Sequence, residues 1–326
     1  LQAGDESIGS TNNNLDGALI TGNRFTWKGT DMKSITHGLF TGHSIDVNIK
    51  YNYLDHVPLG IIRKSSCNMV NNSGGVAYNI VKSGAVAVNV KGISNVSIYN
   101  NTLYTDRTTT ETWRGLIRVY TNTDITPHSV AHGTKIFNNI FYTKNQTISI
   151  QISDEECLKD FESDYNVFYC ENGSPIFDYC GSIKTFEQWQ ALGYDTHSIV
   201  INPDFKDFVN FVPTKRLDYG TNLGTNWIEG LATNAKWGTT SPETALQNGH
   251  WQVGAIIYKE VATTAPVPVY SGSVINDATP ARLEMTYSLT LANIVPAASS
   301  FNVTVNGSSR SVSAVSVSGT KVLLTL

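Results

Sequence analysis

Basic side chains recur at the ends of short predicted strands in the first half of the chain. The residues are Arg63 and Lys64, Lys82 and Lys91, and Arg114 and Arg118. Elimination from a uronic acid needs a cation that neutralises the substrate carboxylate and a base that removes the proton at C5. If neighbouring strands bring these side chains together, Lys64, Lys91 and Arg118 are the catalytic candidates for those two roles.

Three further residues are candidates for substrate binding. Arg63 and Arg114 can pair with carboxylates, and the ring of Trp113 can stack on a sugar. Two other interpretations stay open. The basic residues can be ordinary charged side chains on a solvated face, and Trp113 can pack in a core.

Metal and other catalytic motifs give weaker signals. Calcium would need clustered carboxylates, and the acidic residues Asp46, Asp55 and Asp154 to Glu156 do not have a spacing that identifies such a site. The histidines show no zinc-ligand spacing. We therefore assign no metal ligand and keep Ca²⁺ only as a candidate cofactor.

One short motif indicates how strands would position these side chains. Val96 to Tyr104 contains a strand, an asparagine turn and a second strand, and similar stretches can be aligned on one asparagine each. The aligned residues, 22 to 38 positions apart, are Asn23, Asn52, Asn79, Asn101, Asn139 and Asn166. A strand-and-turn repeat of this size is typical of stacked parallel β-coils. The alternative is a set of unrelated loop asparagines.

The repeat makes two further predictions. Asparagine tolerates the left-handed region, and stacked asparagines can hydrogen-bond to each other along the axis. Strands such as Ala85 to Lys91 and Ile148 to Ile152 alternate apolar and polar residues, with Val86, Val88 and Val90 on one face. Burial of each aliphatic side chain stabilises by about 1.5–3 kcal/mol, so these residues are expected to supply most of the stability.

The residue pattern changes in the second half of the chain. Thr185 and Gln188 fit a capping box that predicts a short helix between Lys184 and Gly193, and Trp251 to Tyr258 is typical of a final strand. We predict a coil domain over 1–259, a linker over 260–269 and a small β domain over 270–326. With some five predicted strands in about 60 residues, this β domain is smaller than a complete immunoglobulin-like sandwich, which has about seven strands and about 100 residues. Asn306 and Gly307 form a hairpin signal within it.

Composition limits the possible functions. The 326 residues carry a formal net charge of −4, with 15% charged residues. A nucleic-acid partner is therefore not indicated, and no apolar run is long enough to span a membrane. The four cysteines, Cys67, Cys157, Cys170 and Cys180, are either paired as 67–157 and 170–180 or free. The start at Leu1 suggests a mature or excised form.

The asparagine-turn coils resemble the right-handed parallel β-helix proteins of the pectate-lyase-like group, from about Leu15 to Tyr258. The tail from Leu283 to Leu326 resembles SwmB-type repeats of bacterial surface proteins. In many β-helix lyases the base is lysine or arginine, which is the role implied for Lys64, Lys91 or Arg118. Only Asn122 to Asp124 matches the polygalacturonase pattern, whose later elements are absent.

The resemblance implies an all-β protein outside the cell or on its surface, with a right-handed parallel β-helix and an incomplete immunoglobulin-like domain. The expected partner is a polysaccharide or cell-surface glycan, bound and cleaved if the protein is a lyase. The alternative is a structural protein such as an adhesin, filament subunit or phage-like fibre. Its small β domain would then mediate self-association.

Overall fold

The computed structural model describes residues 2–3, 17–29, 37–42, 45–65, 74–107, 114–237, 242–260 and 266–326. The protein is all-β, with long sheets of parallel strands and one short α-helix among the described residues. The chain divides into two compact units, Leu1–Glu260 and Val261–Leu326.

The larger unit is built from short strands and two long ones. In chain order the strands are β1 Gln2–Ala3, β2 Leu19–Thr21, β3 Arg24–Thr26, β4 His37–Gly42, β5 Asn48–Lys50, β6 Tyr53–Lys64, β7 Gly74–Ala77, β8 Ile80–Lys91, β9 Val96–Tyr99, β10 Thr102–Thr105, β11 Ile117–Tyr120, β12 Lys135–Phe137, β13 Ile140–Asn145, β14 Ile148–Ile152, β15 Glu162–Asp164, β16 Val167–Asn172, β17 Ile176–Tyr179, β18 Ser182–Thr185, β19 Ile199–Val200, β20 Glu229–Ala232, β21 Thr244–Leu246 and β22 Ile256–Ile257. The helix α1 spans Phe186–Ala191, and 3₁₀ turns span Glu155–Leu158 and Thr225–Trp227.

Most of these strands fall into three parallel sets, whereas β18 pairs antiparallel with β17 and β20 to β22 form a separate small sheet. The first sheet has the order β15-β12-β9-β7-β5-β2. A second face runs from β3 through the first half of β6 and of β8 to β10, β13, β16 and β19. A third face runs from β1 and β4 through the second halves of β6 and β8 to β11, β14 and β17. Because β6 and β8 continue through the corner, the second and third faces belong to one 13-stranded sheet.

An asparagine stands between the first and second strand of each pass through these sets. Each amide nitrogen donates to the amide oxygen of the asparagine in the following pass, at 2.9–3.1 Å. The predicted ladder is confirmed, and its members are Asn23, Asn52, Asn79, Asn101, Asn139 and Asn166. The last asparagine donates to Asp195 Oδ1 at 2.8 Å. The ladder therefore consists of asparagine amides, and its last amide donates to a carboxylate.

The prediction that the ladder asparagines occupy the left-handed region is wrong. The residue before each of them has the positive φ, namely Gly22, Tyr51, Tyr78, Asn100, Asn138 and Tyr165. The ladder side chain itself points inward, where its nitrogen also reaches the carbonyl two residues earlier. The turn is thus closed by the inward amide, and the preceding residue takes the unfavourable backbone conformation.

Aliphatic side chains fill the space between the sheets, as the alternation predicts. Val88, Val90, Ile150 and Ile152 are fully buried in the largest core cluster. Val86 is the exception, since it packs with Phe40, Leu59 and Ile62 in a separate cluster. The reason is a bulge: the amides of Ala87 and Val88 both donate to the carbonyl of Leu116, which shifts the alternation by one residue.

The capping box predicted at the helix is confirmed, with Gln188 N donating to Thr185 Oγ1 and Thr185 N donating to Gln188 Oε1. The chain after α1 then packs along the outside of the first sheet and second face. Tyr104, for example, contacts Phe211 with ring centroids 5.4 Å apart. Only Ile256–Ile257 of the predicted final strand is extended in a sheet.

The smaller unit is antiparallel. Its strands are β23 Tyr270–Ile275, β24 Arg282–Tyr287, β25 Val303–Val305, β26 Ser308–Arg310, β27 Ala314–Ser318 and β28 Lys321–Thr325, with a 3₁₀ turn at Ala298–Ser300. One sheet has the order β23-β24-β28-β27, and β25 pairs with β26. The hairpin predicted at Asn306 and Gly307 is confirmed, since both residues have positive φ between β25 and β26.

Cys157, Cys170 and Cys180 are free thiols, and Cys67 lies outside the described residues. The predicted 170–180 disulfide is therefore wrong, and Cys157 is unpaired. Burial raises the pKa of Cys157 to about 11. The described residues contain no helix with the length and apolar character needed to cross a membrane.

Candidate ligand-binding face

The third face places basic and polar side chains in two adjacent rows. In the first row, Lys64 of β6 is in register with Lys91 of β8, which is in register with Tyr120 of β11. In the second row, Asn89 is in register with Arg118. Parallel strands are about 4.8 Å apart, so residues in register on one face are neighbours. We call these five residues, together with Asp124, the basic face.

The alternation within the strands explains why these side chains point outward. Val88, Val90 and Val119 are completely buried in the core between the sheets. Residues at the intervening positions therefore project from the opposite side of the sheet. Lys91 and Arg118 belong to that outward set.

An ion-pair cluster joins the two lysines. Asp124 lies in the loop after β11, and its Oδ2 accepts a short hydrogen bond from Lys91 and lies 3.6 Å from Lys64 Nζ. The hydrogen bond from Lys91 holds the pKa of Asp124 below its ordinary value. The Asp124 side chain is 54% exposed, against 21% for Lys64 and 17% for Lys91. Two ammonium groups thus converge on one carboxylate oxygen near the surface.

Tyr120 links the two rows. Arg118 Cζ lies 4.0 Å from the centroid of its ring and Lys91 Nζ lies 5.5 Å from it. The Tyr120 hydroxyl accepts a hydrogen bond from Asn89 Nδ2 at 3.4 Å. Burial raises the pKa of Tyr120, and the nearby Arg118 opposes that rise. The ring is therefore a half-buried aromatic surface with two cations close to it.

Two polar atoms of this face are buried without a hydrogen-bond partner in the described part of the chain. They are Asn89 Oδ1, an acceptor, and Arg118 Nε, a donor. A buried polar atom without a partner is costly, and such atoms are few in folded proteins. Both atoms are covered from solvent, so a ligand could reach them only after the side chains around them had moved.

The second row continues into a neutral and then acidic region. Gln151 is in register with Arg118, and Asp178 is in register with Gln151. Gln151 Nε2 donates to Asp178 Oδ2 at 2.8 Å, and the Gly181 amide donates to Asp178 Oδ1 at 2.7 Å. The third face therefore changes from basic at Lys64 to acidic at Asp178 across successive strands.

The structure brings together the three residues predicted to be catalytic but buries Arg63 and Arg114, two of the residues predicted to bind substrate. Arg63 is 1% exposed and occupies the inward row, in register with Val90. Its Nη1 donates to Thr41 Oγ1 at 3.2 Å, and burial lowers its pKa to about 10. Arg63 thus lies inside the stack of strands because it shares the alternation phase of Ile61.

Of the other two predicted binding residues, only Arg114 belongs to the described part of the chain. Arg114 is 5% exposed, and its carbonyl accepts a hydrogen bond from Arg107 at 2.7 Å. Trp113 lies outside the described residues. Sequence reasoning missed Tyr120 and Asn89, although the alternation that selects Lys91 and Arg118 also selects them. It noted Asp124 only as part of an unrelated motif.

Three of the five acidic residues considered for calcium have protein partners. Asp55 pairs with Arg24 at 3.0 Å, Asp154 Oδ2 accepts from the Thr121 amide at 2.8 Å, and Glu156 lies 3.3 Å from His128. Within the ranges given above, no three His, Cys, Asp or Glu side chains form a group that could hold a metal ion.

The basic face thus offers two ammonium groups and a guanidinium beside an aromatic ring, an arrangement that suits an anionic ligand. Searches of the chain against protein-family models, curated proteins and solved structures find no match.

Proposed function

We propose that the larger unit is a right-handed parallel β-helix of the pectate-lyase-like kind and that the smaller unit is an incomplete immunoglobulin-like, SwmB-type domain. The parallel registers across six ladder asparagines support the first assignment. The antiparallel four-stranded sheet beside a hairpin supports the second. Proteins of this organisation act outside the cell or on its surface, and we propose that location for this chain.

We propose further that the basic face binds an extracellular polysaccharide with carboxylate groups. The observation that carries this proposal is the convergence of Lys64, Lys91 and Arg118 around Tyr120 on three successive strands. The cations supply attraction for carboxylates, and the aromatic ring supplies a surface for the apolar side of a sugar. A polymer lying across the strands would meet these groups in sequence.

If the protein is a lyase, these residues divide the two roles of the elimination. The base accepts the C5 proton, the electron pair forms the C4–C5 double bond, and the bond to the O4 leaving group breaks. Lys91 and Lys64 share Asp124, which suits neutralisation of a carboxylate. Arg118 or a lysine released from Asp124 is then the candidate base. Calcium stays a candidate cofactor for this reaction only.

The lyase proposal has a direct test. The protein is incubated with polygalacturonate, alginate and hyaluronan, with and without added calcium, and ultraviolet absorbance of the unsaturated product is followed. Turnover of one polymer that is lost in Lys91→Gln or Arg118→Gln supports the proposal. If absorbance does not change with any polymer, the lyase proposal is contradicted and only the binding proposal stands.

Binding itself makes a separate prediction. We expect Lys64→Gln combined with Lys91→Gln to weaken binding of a carboxylated polymer by about tenfold or more, because each charge-assisted hydrogen bond contributes about 1.5–3 kcal/mol. Calorimetry or a gel-retardation assay measures the change. Lys135→Gln is the matched control, since Lys135 lies in the first sheet and pairs with Glu162 at 2.7 Å. The control removes one charge and the double variant removes two, so a control that loses half as much binding free energy would show that the effect is only one of net charge.

One observation favours a second candidate, a structural protein that self-associates. The smaller unit has a cavity of about 550 Å³ beside strand β23, lined by apolar side chains including Leu283, Met285 and Phe301. Strand β23 is also at the edge of its sheet and could accept another strand. Light scattering over a range of concentrations tests this role, which a monomer at every concentration would contradict.

A further inference from the structure

The loop that carries Asp124 is fixed by contacts that do not involve the Asp124 carboxylate. Asn122 and Ser129 form an antiparallel bridge across it. The Asn122 side chain donates to the carbonyl of Ser65, and Ser129 Oγ donates to the carbonyl of Gly92 at 2.6 Å. Asn122 Oδ1 also accepts the amide of Asp124 at 3.1 Å. The backbone is therefore held in place while the carboxylate can leave the lysines by side-chain rotation.

We propose that the Asp124 carboxylate occupies the position of a ligand carboxylate between Lys64 and Lys91 and competes with it. This inference rests on the proposed function, and it identifies Asp124 as the residue that makes the basic face selective for carboxylated polymers. A ligand carboxylate that replaces Asp124 makes the same two ionic contacts. A neutral polymer has no group that can replace the contacts of Asp124 with the two lysines. Asp124 would therefore stay in place and exclude such a polymer.

The exposures of the three groups support exchange over a purely structural role. The carboxylate is half exposed, whereas both lysines are mostly covered. Because the carboxylate itself is half exposed, water can replace the lysines as its partner when the ion pair separates. The two lysines in turn need an anion, because like charges on adjacent strands repel each other. The two lysines therefore require an anion between them, and a ligand carboxylate can take the place of Asp124 there.

The groups beside the lysines indicate what else the ligand carries. Tyr120 follows Lys91 in the first row, and Arg118 of the second row has its Cζ 4.0 Å from the centroid of the Tyr120 ring. A sugar whose carboxylate lies between the lysines would lie near this ring, against which its apolar side can pack. The substrate class is thus a polymer of uronic acids, in which each residue combines a carboxylate with a sugar ring.

The test compares wild type, Asp124→Asn and Asp124→Ser with a matched control, Asp218→Asn. The control removes a carboxylate from another surface ion pair, that of Asp218 with Arg216 at 2.7 Å. Calorimetry is run with polygalacturonate, dextran sulfate and dextran as the probes. Melting temperature is recorded for each variant, and two replacements are used so that a folding defect in one does not decide the outcome.

We expect both Asp124 variants to bind polygalacturonate about three- to tenfold more tightly than wild type, which corresponds to about 0.7–1.4 kcal/mol. Dextran should not bind, and Asp218→Asn should match wild type apart from the effect of one unit of charge. Equal or weaker binding by well-folded Asp124 variants, with wild type still bound, would overturn competition by Asp124. Equal gains for dextran sulfate would overturn the preference for carboxylate. If wild type and both variants bind none of the polymers, the proposed function itself fails.

Discussion

Replacement of Asp195 by asparagine is expected to lower the free energy of unfolding by about 3 kcal/mol, although the two side chains have nearly the same shape. Asp195 is completely buried and accepts four side-chain hydrogen bonds. Trp189 Nε1 donates to Oδ2 at 2.8 Å, and Asn166 Nδ2 donates to Oδ1 at 2.8 Å. Neither donor can become an acceptor. The amide nitrogen of the variant would face one of them in either orientation and leave a buried donor without a partner.

Equilibrium unfolding in urea, followed by tryptophan fluorescence, measures this change. Asp160→Asn is the matched control, because Asp160 has a similar left-handed backbone, with φ 56° against 52° at Asp195, but is exposed. The control should stay within about 0.5 kcal/mol of wild type. A similarly small change in Asp195→Asn would show that the carboxylate is not needed as an acceptor on both oxygens. Burial raises the pKa of Asp195, and the surrounding donors oppose that rise.

The reverse replacement in the middle of the ladder should be at least as damaging. We expect Asn101→Asp to cost about 3–5 kcal/mol. The Asn101 amide nitrogen donates to Asn139 Oδ1 at 3.0 Å and is also within 2.8 Å of the Val76 carbonyl and 3.1 Å of the Tyr99 carbonyl. An aspartate oxygen in that position would face three acceptors in a site with no exposure to solvent.

The same urea unfolding measurement applies, with Asn95→Asp as its control. Asn95 also precedes a strand of the first sheet and is exposed, so the added charge remains in water. The ladder interpretation requires the large difference between the two variants. Equal stability of Asn101→Asp and Asn95→Asp would show that the stacked amides contribute little and that the aliphatic core alone holds the passes together.

The sequence predicts the regular parts of this fold because they depend on patterns within a few residues. The ladder asparagines share one position in each repeat, and the alternation selects Val88 and Val90 for the interior. Val86 escapes the pattern, since the bulge at Ala87 depends on hydrogen bonds to Leu116 in a later strand. Local patterns do not encode such non-local bonds.

In the candidate site too, some features follow from the local sequence pattern and others depend on the path of the chain. Lys64, Lys91 and Arg118 become neighbours because the register of the parallel strands brings them together. Arg63 was grouped with them on charge alone, although its alternation phase is that of Ile61. The place of Asp124 depends on the path of the loop that follows β11, which the bridge between Asn122 and Ser129 determines. That path has no signature in the surrounding residue types.

The asparagine ladder has a direction, because every amide donates toward the next pass and accepts from the previous one. Any number of asparagines can follow one another by this rule, so the rule alone sets no length. A carboxylate accepts on both oxygens and has no hydrogen to pass on, so Asp195 ends the series chemically. At Asp195 an acceptor thus takes the place of a residue that both accepts and donates, and the series of amide hydrogen bonds stops there.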